Sequence, residues 1–79
     1  MKSKKIEIAQ RIGVNEKVHF GKPVIKNTRV PVELVLGKLS NGMSFEDVMK
    51  GFEISREDIL AALGYASKVL SMEEIKAVI

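Results

Sequence analysis

The chain has no cysteine, a single histidine and no long apolar run. Without cysteine it has no disulfide framework, no thiolate nucleophile and no thiolate zinc site. Its apolar runs are only a few residues long, which excludes a membrane span. No hydrophobic stretch of signal-peptide length follows the basic residues Met1 to Lys5. We therefore expect a cytoplasmic protein.

The sequence also offers little catalytic chemistry. No second His or Cys lies at metal-ligand spacing from His19, which we expect to be a polar surface residue. Gly21-Lys22 lacks the further glycine and the Ser or Thr of a phosphate-binding loop. We predict a protein that is not an enzyme, with no catalytic residue, no cofactor and no metal site.

A chain of 79 residues is long enough for one domain, which we assign to residues 1–79. A chain of this size buries only roughly 60–65% of the surface that its unfolded form exposes, so its core is thin. A second copy can complete a thin core, and we therefore expect a homodimer.

Charge is divided unequally between the two halves of the chain. Residues 1–38 contain nine Lys or Arg and three Glu, a balance of +6, whereas residues 39–79 contain four Lys or Arg and seven acids, a balance of −3. The N-terminal half is thus the candidate surface for nucleic acid or another anion. The alternative is that these lysines only keep a small protein soluble.

The N-terminal part of the chain is typical of extended structure. Residues 5–12 alternate, with Ile6, Ile8 and Ile12 on one face, and this predicts a half-buried strand within an extended segment over residues 5–30. Residues 13–17 read as a turn. A first helix is predicted from Pro31 or Val32 to about Ser40, stopped by Asn41-Gly42. Its predicted buried residues are Leu34, Val35, Leu36 and Leu39.

Three further helix starts share one sequence device, a Ser cap three residues before an acid. The caps are Ser44, Ser55 and Ser71. They predict a three-helix core over residues 31–70 and a C-terminal helix over residues 71–79. Acids in the first turn are favoured by the helix dipole, which explains the three acidic pairs without catalysis. The helix from Ser55 is predicted to face the core through Ile59, Ala62, Leu63, Ala66 and Leu70.

The segment from Lys22 to Arg29 is the candidate DNA-binding element. Side chains of an extended ribbon alternate, so Lys22, Lys26 and Arg29 could project together onto successive phosphates or an acidic partner. The alternative for Arg29, which we favour, is a structural anchor on a carboxylate or on helix-end carbonyls.

Residues 48–59 have the spacing of a helix-turn-helix, with apolar residues at Val48, Phe52, Ile54 and Ile59. Arg56, at the start of the second helix, is a fourth candidate for DNA contact. Two carboxylates at the start of a recognition helix would repel the DNA backbone, which counts against base reading by this helix. The predicted fold is mainly α, with a short N-terminal β element and a tri-helical, helix-turn-helix or winged-helix-like domain.

Four strings of this sequence resemble the domain-of-unknown-function family 433. They are GKPVIKNTRVPV at residues 21–32, GMS at 42–44 and EDI with AALGYA within residues 57–66. The resemblance covers about residues 5–70. Asn27 stands where the family commonly has Gly, and Asn tolerates the same left-handed geometry. The resemblance implies a small winged-helix or homeodomain-like fold and an antitoxin encoded beside a PIN-like ribonuclease toxin.

Two functions follow as expectations. The first is an antitoxin that binds a PIN-like toxin and, as a dimer, its own promoter DNA. The alternative is a protein-interaction or homodimeric scaffold module without direct DNA contact. The candidate partner-binding residues are Glu57, Asp58, Ile75, Val78 and Ile79.

Overall fold

A computed structural model describes residues 5–72, and of Lys5 only the backbone. Three strands come first, β1 (Lys5–Ala9), β2 (Ile12–Asn15) and β3 (Pro23–Ile25), and three helices follow. The helices are α1 (Val32–Ser40), α2 (Phe45–Phe52) and α3 (Arg56–Met72). The prediction of three helices behind an N-terminal β element is confirmed. None of the helices in this part of the chain is long and apolar enough to cross a membrane.

The strands form an antiparallel sheet in the order β1-β2-β3. The predicted single strand over residues 5–12 is wrong, because the chain reverses at Gln10-Arg11 and Ile12 begins β2. The reversal places Arg11 at a φ of 63°. The sequence has no Asn-Gly pair at this turn, which is the usual signal for a two-residue hairpin loop. The predicted turn over residues 13–17 is displaced for the same reason, since Gly13 to Asn15 lie in β2.

The core lies between the sheet and the three helices. Its fully buried residues come from every layer, with Ile12 and Ile25 in the sheet, Val35 in α1, Val48 in α2 and Ile59 in α3. Helix α1 has the predicted bounds and ends at Asn41-Gly42. Its predicted buried face is only partly right, because Leu34 is 42% exposed.

The predicted caps have different outcomes. The Ser44 hydroxyl accepts a hydrogen bond from the Asp47 backbone N–H at 3.1 Å, as predicted. Ser71 does not begin a helix, because it lies inside α3 and its hydroxyl donates to the Lys68 carbonyl at 2.7 Å. Most of the predicted C-terminal helix, with Ile75, Val78 and Ile79, lies outside the described residues.

Candidate interaction surfaces

The start of α3 is fixed by a network centred on Asp58. Its Oδ2 accepts the Ser55 backbone N–H at 3.0 Å, while the Ser55 hydroxyl accepts the Asp58 backbone N–H at 3.1 Å, which forms a reciprocal capping box. Its Oδ1 accepts from Arg11 Nη1 at 3.0 Å, an ion pair that joins α3 to the β1–β2 turn. Both carboxylate oxygens of Asp58 are therefore used within the chain.

The network also sets the protonation of Asp58. Partial burial raises the pKa of its carboxyl, but hydrogen bonds from the Ser55 backbone N–H and from the Arg11 guanidinium outweigh that effect and hold the pKa below its ordinary value. Asp58 is thus held as a structural carboxylate. Its neighbour Glu57 is exposed and has no ion-pair partner among residues 5–72, so it is the carboxylate of this pair that a partner can reach.

The two candidate lysines carry ion pairs of their own. Lys22 Nζ lies 3.0 Å from Glu33 Oε1 of α1, and Lys26 Nζ pairs with Glu7 Oε1 of β1. All four side chains are about half exposed or more. Exposed pairs of this kind contribute only about 0–1 kcal/mol, so an incoming phosphate can replace either carboxylate at low cost.

Lys26 and Arg29 share one cleft, whereas Lys22 lies on another. The first cleft, of about 540 Å³, has Gly13 and Val24 in its floor. Gly13 pairs with Glu7 on one side and Val24 on the other, and a Cβ at Gly13 would lie only 3.3 Å from the Ile6 carbonyl oxygen. Of the three cations predicted to project together, only Lys26 and Arg29 line the same cleft.

Arg29 is exposed, and its guanidinium makes no ion pair or hydrogen bond within residues 5–72. The anchor that we favoured for it is not found there. The segment around Arg29 is held by hydrogen bonds to its backbone carbonyl groups. His19 Nε2 lies 2.9 Å from the Arg29 carbonyl, and Thr28 Oγ1 donates to the Ile25 carbonyl at 2.7 Å. Because a carbonyl only accepts, Nε2 of His19 carries the proton.

A short corner joins α2 to α3. Helix α2 ends at Phe52, Glu53 takes a left-handed conformation with a φ of 55°, and Ser55 caps α3. The guanidinium of Arg56 lies 4.9 Å from the centre of the Phe45 ring. That cation–π contact ties Arg56 to α2, although its side chain is still exposed.

A third cleft, of about 520 Å³, lies between α3 and the β1–β2 turn and does not include Lys22. Glu57 lies at one end and Lys68 at the other, with Leu60 and Gly64 between them. Leu60 is 49% exposed. The sequence-based interpretation missed Leu60, although its i+3 spacing from Glu57 places the two on one helical face.

Sheet and helices together define a small domain of three helices behind a three-stranded antiparallel sheet. The chain belongs to the family described as "Protein of unknown function (DUF433)", whose model matches residues 12–66. The chain is also similar in fold to the crystal structure of Rv2018 from Mycobacterium tuberculosis, with 27% identity and a TM-score of 0.61. That match covers 66% of this chain and 24% of Rv2018. No curated protein sequence matches the chain.

Proposed function

We propose that this chain is a non-enzymatic binding protein, the antitoxin of a toxin–antitoxin pair, that neutralises a PIN-like nuclease and binds its own promoter. The antitoxin role is an analogy drawn from the family resemblance described above, and the matched family model itself carries no function. The observation that carries the protein-binding part is the cleft along α3 that Glu57 and Leu60 line.

This cleft suits a basic side chain of a partner. A Lys or Arg buries its aliphatic stem on apolar surface while its charged head stays near water or a carboxylate. Leu60 and Ala61 provide the apolar wall and Glu57 the carboxylate, which no internal cation occupies within residues 5–72. Two cations also line the cleft, but Arg11 is paired with Asp58 and Lys68 lies at the end away from Glu57. A nuclease that binds RNA presents Lys and Arg side chains around its substrate site. Occupying them would both hold the toxin and block its RNA.

The decisive experiment uses the purified product of the neighbouring gene, which this proposal predicts to be a PIN-like nuclease. Binding is measured by isothermal titration calorimetry, and inhibition is measured as RNA cleavage. We expect Glu57→Gln to weaken binding about 10-fold, which is about 1.4 kcal/mol. The matched control is Glu46→Gln, because Glu46 is also an exposed acid in the first turn of a helix. Equal effects of the two variants would remove this cleft from the toxin interface, and absence of any binding would end the antitoxin proposal.

The DNA-binding part rests on the cleft that Lys26 and Arg29 share. Fluorescence anisotropy with promoter DNA over a salt series tests it. Each phosphate contact contributes a slope of about −0.9 to the log–log plot of affinity against salt. Lys26→Ala should weaken binding and make the slope shallower by about one contact. Lys38→Ala is the control, because Lys38 is exposed and lies outside this cleft.

A second variant makes the DNA test sharper. Glu7→Gln removes the carboxylate that pairs with Lys26, so it should strengthen DNA binding and leave the fold unchanged. If neither Lys26→Ala nor Glu7→Gln alters binding, Lys26 does not contact DNA. If DNA does not bind even at low salt, the alternative function applies, namely a protein-interaction or homodimeric scaffold module.

A further inference from the structure

We propose that this chain forms a two-fold symmetric dimer in which Phe20 of each copy inserts into an apolar groove between α1 and α3 of the other. The dimer does not require the antitoxin function, because it rests on a different face of the molecule. Phe20 lines neither the Glu57 cleft nor the Lys26 cleft, and the groove shares only Tyr65 with the Glu57 cleft.

Phe20 is presented to solvent in an unusual way. Its side chain is 100% exposed, the largest value among the large apolar residues of the described chain. Three consecutive residues, His19, Phe20 and Gly21, have φ values of 50°, 56° and 80°. A left-handed conformation is unfavourable for residues with a Cβ, so the loop keeps the ring exposed at an energetic cost.

The loop that carries Phe20 is fixed. The Gly21 backbone N–H donates to the Val18 carbonyl at 3.1 Å, and Lys22 N–H donates to the His19 carbonyl at 3.2 Å. The His19 side chain donates to the Arg29 carbonyl at 2.9 Å, which ties the loop to the segment before α1. A rigid exposed aromatic loses little conformational freedom on binding, and this favours it as an anchor at an interface.

The groove has the size and chemistry to accept that ring. It measures about 370 Å³ and is lined mainly by Pro23, Val32, Leu36, Tyr65, Val69 and Leu70. A closed apolar cavity of about 150 Å³ already accommodates benzene, so one phenyl ring fits with room for rim side chains. Val69 and Leu70 are 37% and 59% exposed, so the groove is open from the side of α3.

The relative position of ring and groove is the one that a symmetric pair of copies requires, and we therefore take a second copy as the occupant. Lys22, at the rim of the groove, is only two residues from Phe20, so the two features lie within about 8 Å along the chain. A two-fold axis between them brings each ring to the other copy's groove, as an isologous interface requires. The two rings alone bury about 400 Å² of their own surface, counting about 200 Å² for each ring. The grooves and the contacts around them must supply the remainder of the roughly 1,200 Å² of a stable interface.

The test is the molar mass of the full chain by light scattering over a concentration series. The wild type should reach twice 8.8 kDa. Phe20→Ser removes both rings and Val69→Glu blocks both grooves, so each should raise the dimer dissociation constant by about 100-fold or more. Leu60→Ser is the matched control, because Leu60 is an exposed apolar residue of α3 outside the groove, and it should stay dimeric.

Mixing the two defective variants gives the sharpest result. A heterodimer of Phe20→Ser and Val69→Glu keeps one intact ring and one intact groove that meet, whereas neither homodimer keeps any such pair. We therefore expect the mixture to associate more tightly than either variant alone. A monomeric wild type, a dimeric Phe20→Ser variant or a mixture no tighter than its components would overturn the proposal. Circular dichroism of each variant establishes that it is folded.

Discussion

The two halves of α3 have opposite relations to the rest of the molecule. In the first half, Ile59 and Ala62 are both 0% exposed and Asp58 is bound to the β1–β2 turn. In the second half, within the described residues, no side chain is buried, and Val69, Leu70 and Met72 are 37%, 59% and 77% exposed. One end of the helix is thus built into the core, and its apolar residues beyond that end are available to a partner.

The largest difference should appear when one apolar residue from each half is truncated. Ile59→Ala removes a fully buried side chain and should lower the free energy of unfolding by about 2–5 kcal/mol. Val69→Ala removes exposed surface and should cost at most about 0.5 kcal/mol. Urea unfolding by circular dichroism, at concentrations low enough to keep the chain monomeric, measures both. Similar losses would show that the second half contributes to the core as much as the first.

The next prediction compares two neighbouring carboxylates in the first half. Asp58→Ala removes the capping box and the Arg11 ion pair, so it should cost about 1–2 kcal/mol. Glu57→Ala removes an exposed side chain from the same helical turn and should stay within about 0.5 kcal/mol. Urea unfolding by circular dichroism measures the free energy of unfolding of both variants. A large loss for Glu57→Ala would mean that Glu57 also holds the fold and is not reserved for a partner.

The same contrast explains what sequence reasoning could find. Local signals were enough for the bounds of α1, for the Ser44 and Ser55 caps and for the stop at Gly42, because each depends on a few adjacent residues. Periodicity placed Leu63 and Leu70 in the core together with Ile59. Helical periodicity identifies the apolar face of α3 but does not show where the elements packed against that face end. The part of α3 that extends beyond the core therefore has the same sequence pattern as the buried part.

Other features depend on contacts between distant residues and had no local signal. The Arg11–Asp58 pair joins residues 47 positions apart, and the hairpin that permits it turns on a left-handed Arg rather than on Gly. The ion pair of Lys26 likewise depends on the sheet, which brings Glu7 of β1 near β3. The ion pair of Lys22 depends on the packing of α1, which carries Glu33, beside β3. Phe20 had no signal, because an apolar residue beside a strand is normally expected to be buried.

Acid titration should isolate the contribution of Asp58 to the free energy of unfolding. The pKa of Asp58 is lowered in the folded state, so its stabilisation is present above the unfolded pKa of about 3.9 and is lost as the pH falls through the folded value. Stability of the wild type should therefore decline below about pH 4. Asp58→Asn, compared by urea unfolding across this range, should show a shallower decline. An identical decline in both proteins would assign the acid sensitivity to other carboxyls.

The smallest effect, and the one of opposite sign, is expected at Gly64, where the two halves of α3 join. A Cβ placed on Gly64 would meet no atom within 4 Å. Gly64→Ala should therefore raise the free energy of unfolding by about 0.5–1 kcal/mol, because Ala is a better helix former and restricts the unfolded chain. The control is Gly42→Ala. Gly42 has equally open surroundings but a φ of 93°, so this substitution should destabilise the protein.

Gly64→Ala also tests whether the second half of α3 is helical without a partner. The gain requires that residues on both sides of Gly64 are helical in the folded monomer, since propensity acts only where a helix forms. Circular dichroism at low concentration should then show unchanged helix content together with the higher stability. If the variant gains helix content instead, the wild-type helix frays beyond Gly64. The exposed apolar residues of the second half would then be ordered only when a partner binds.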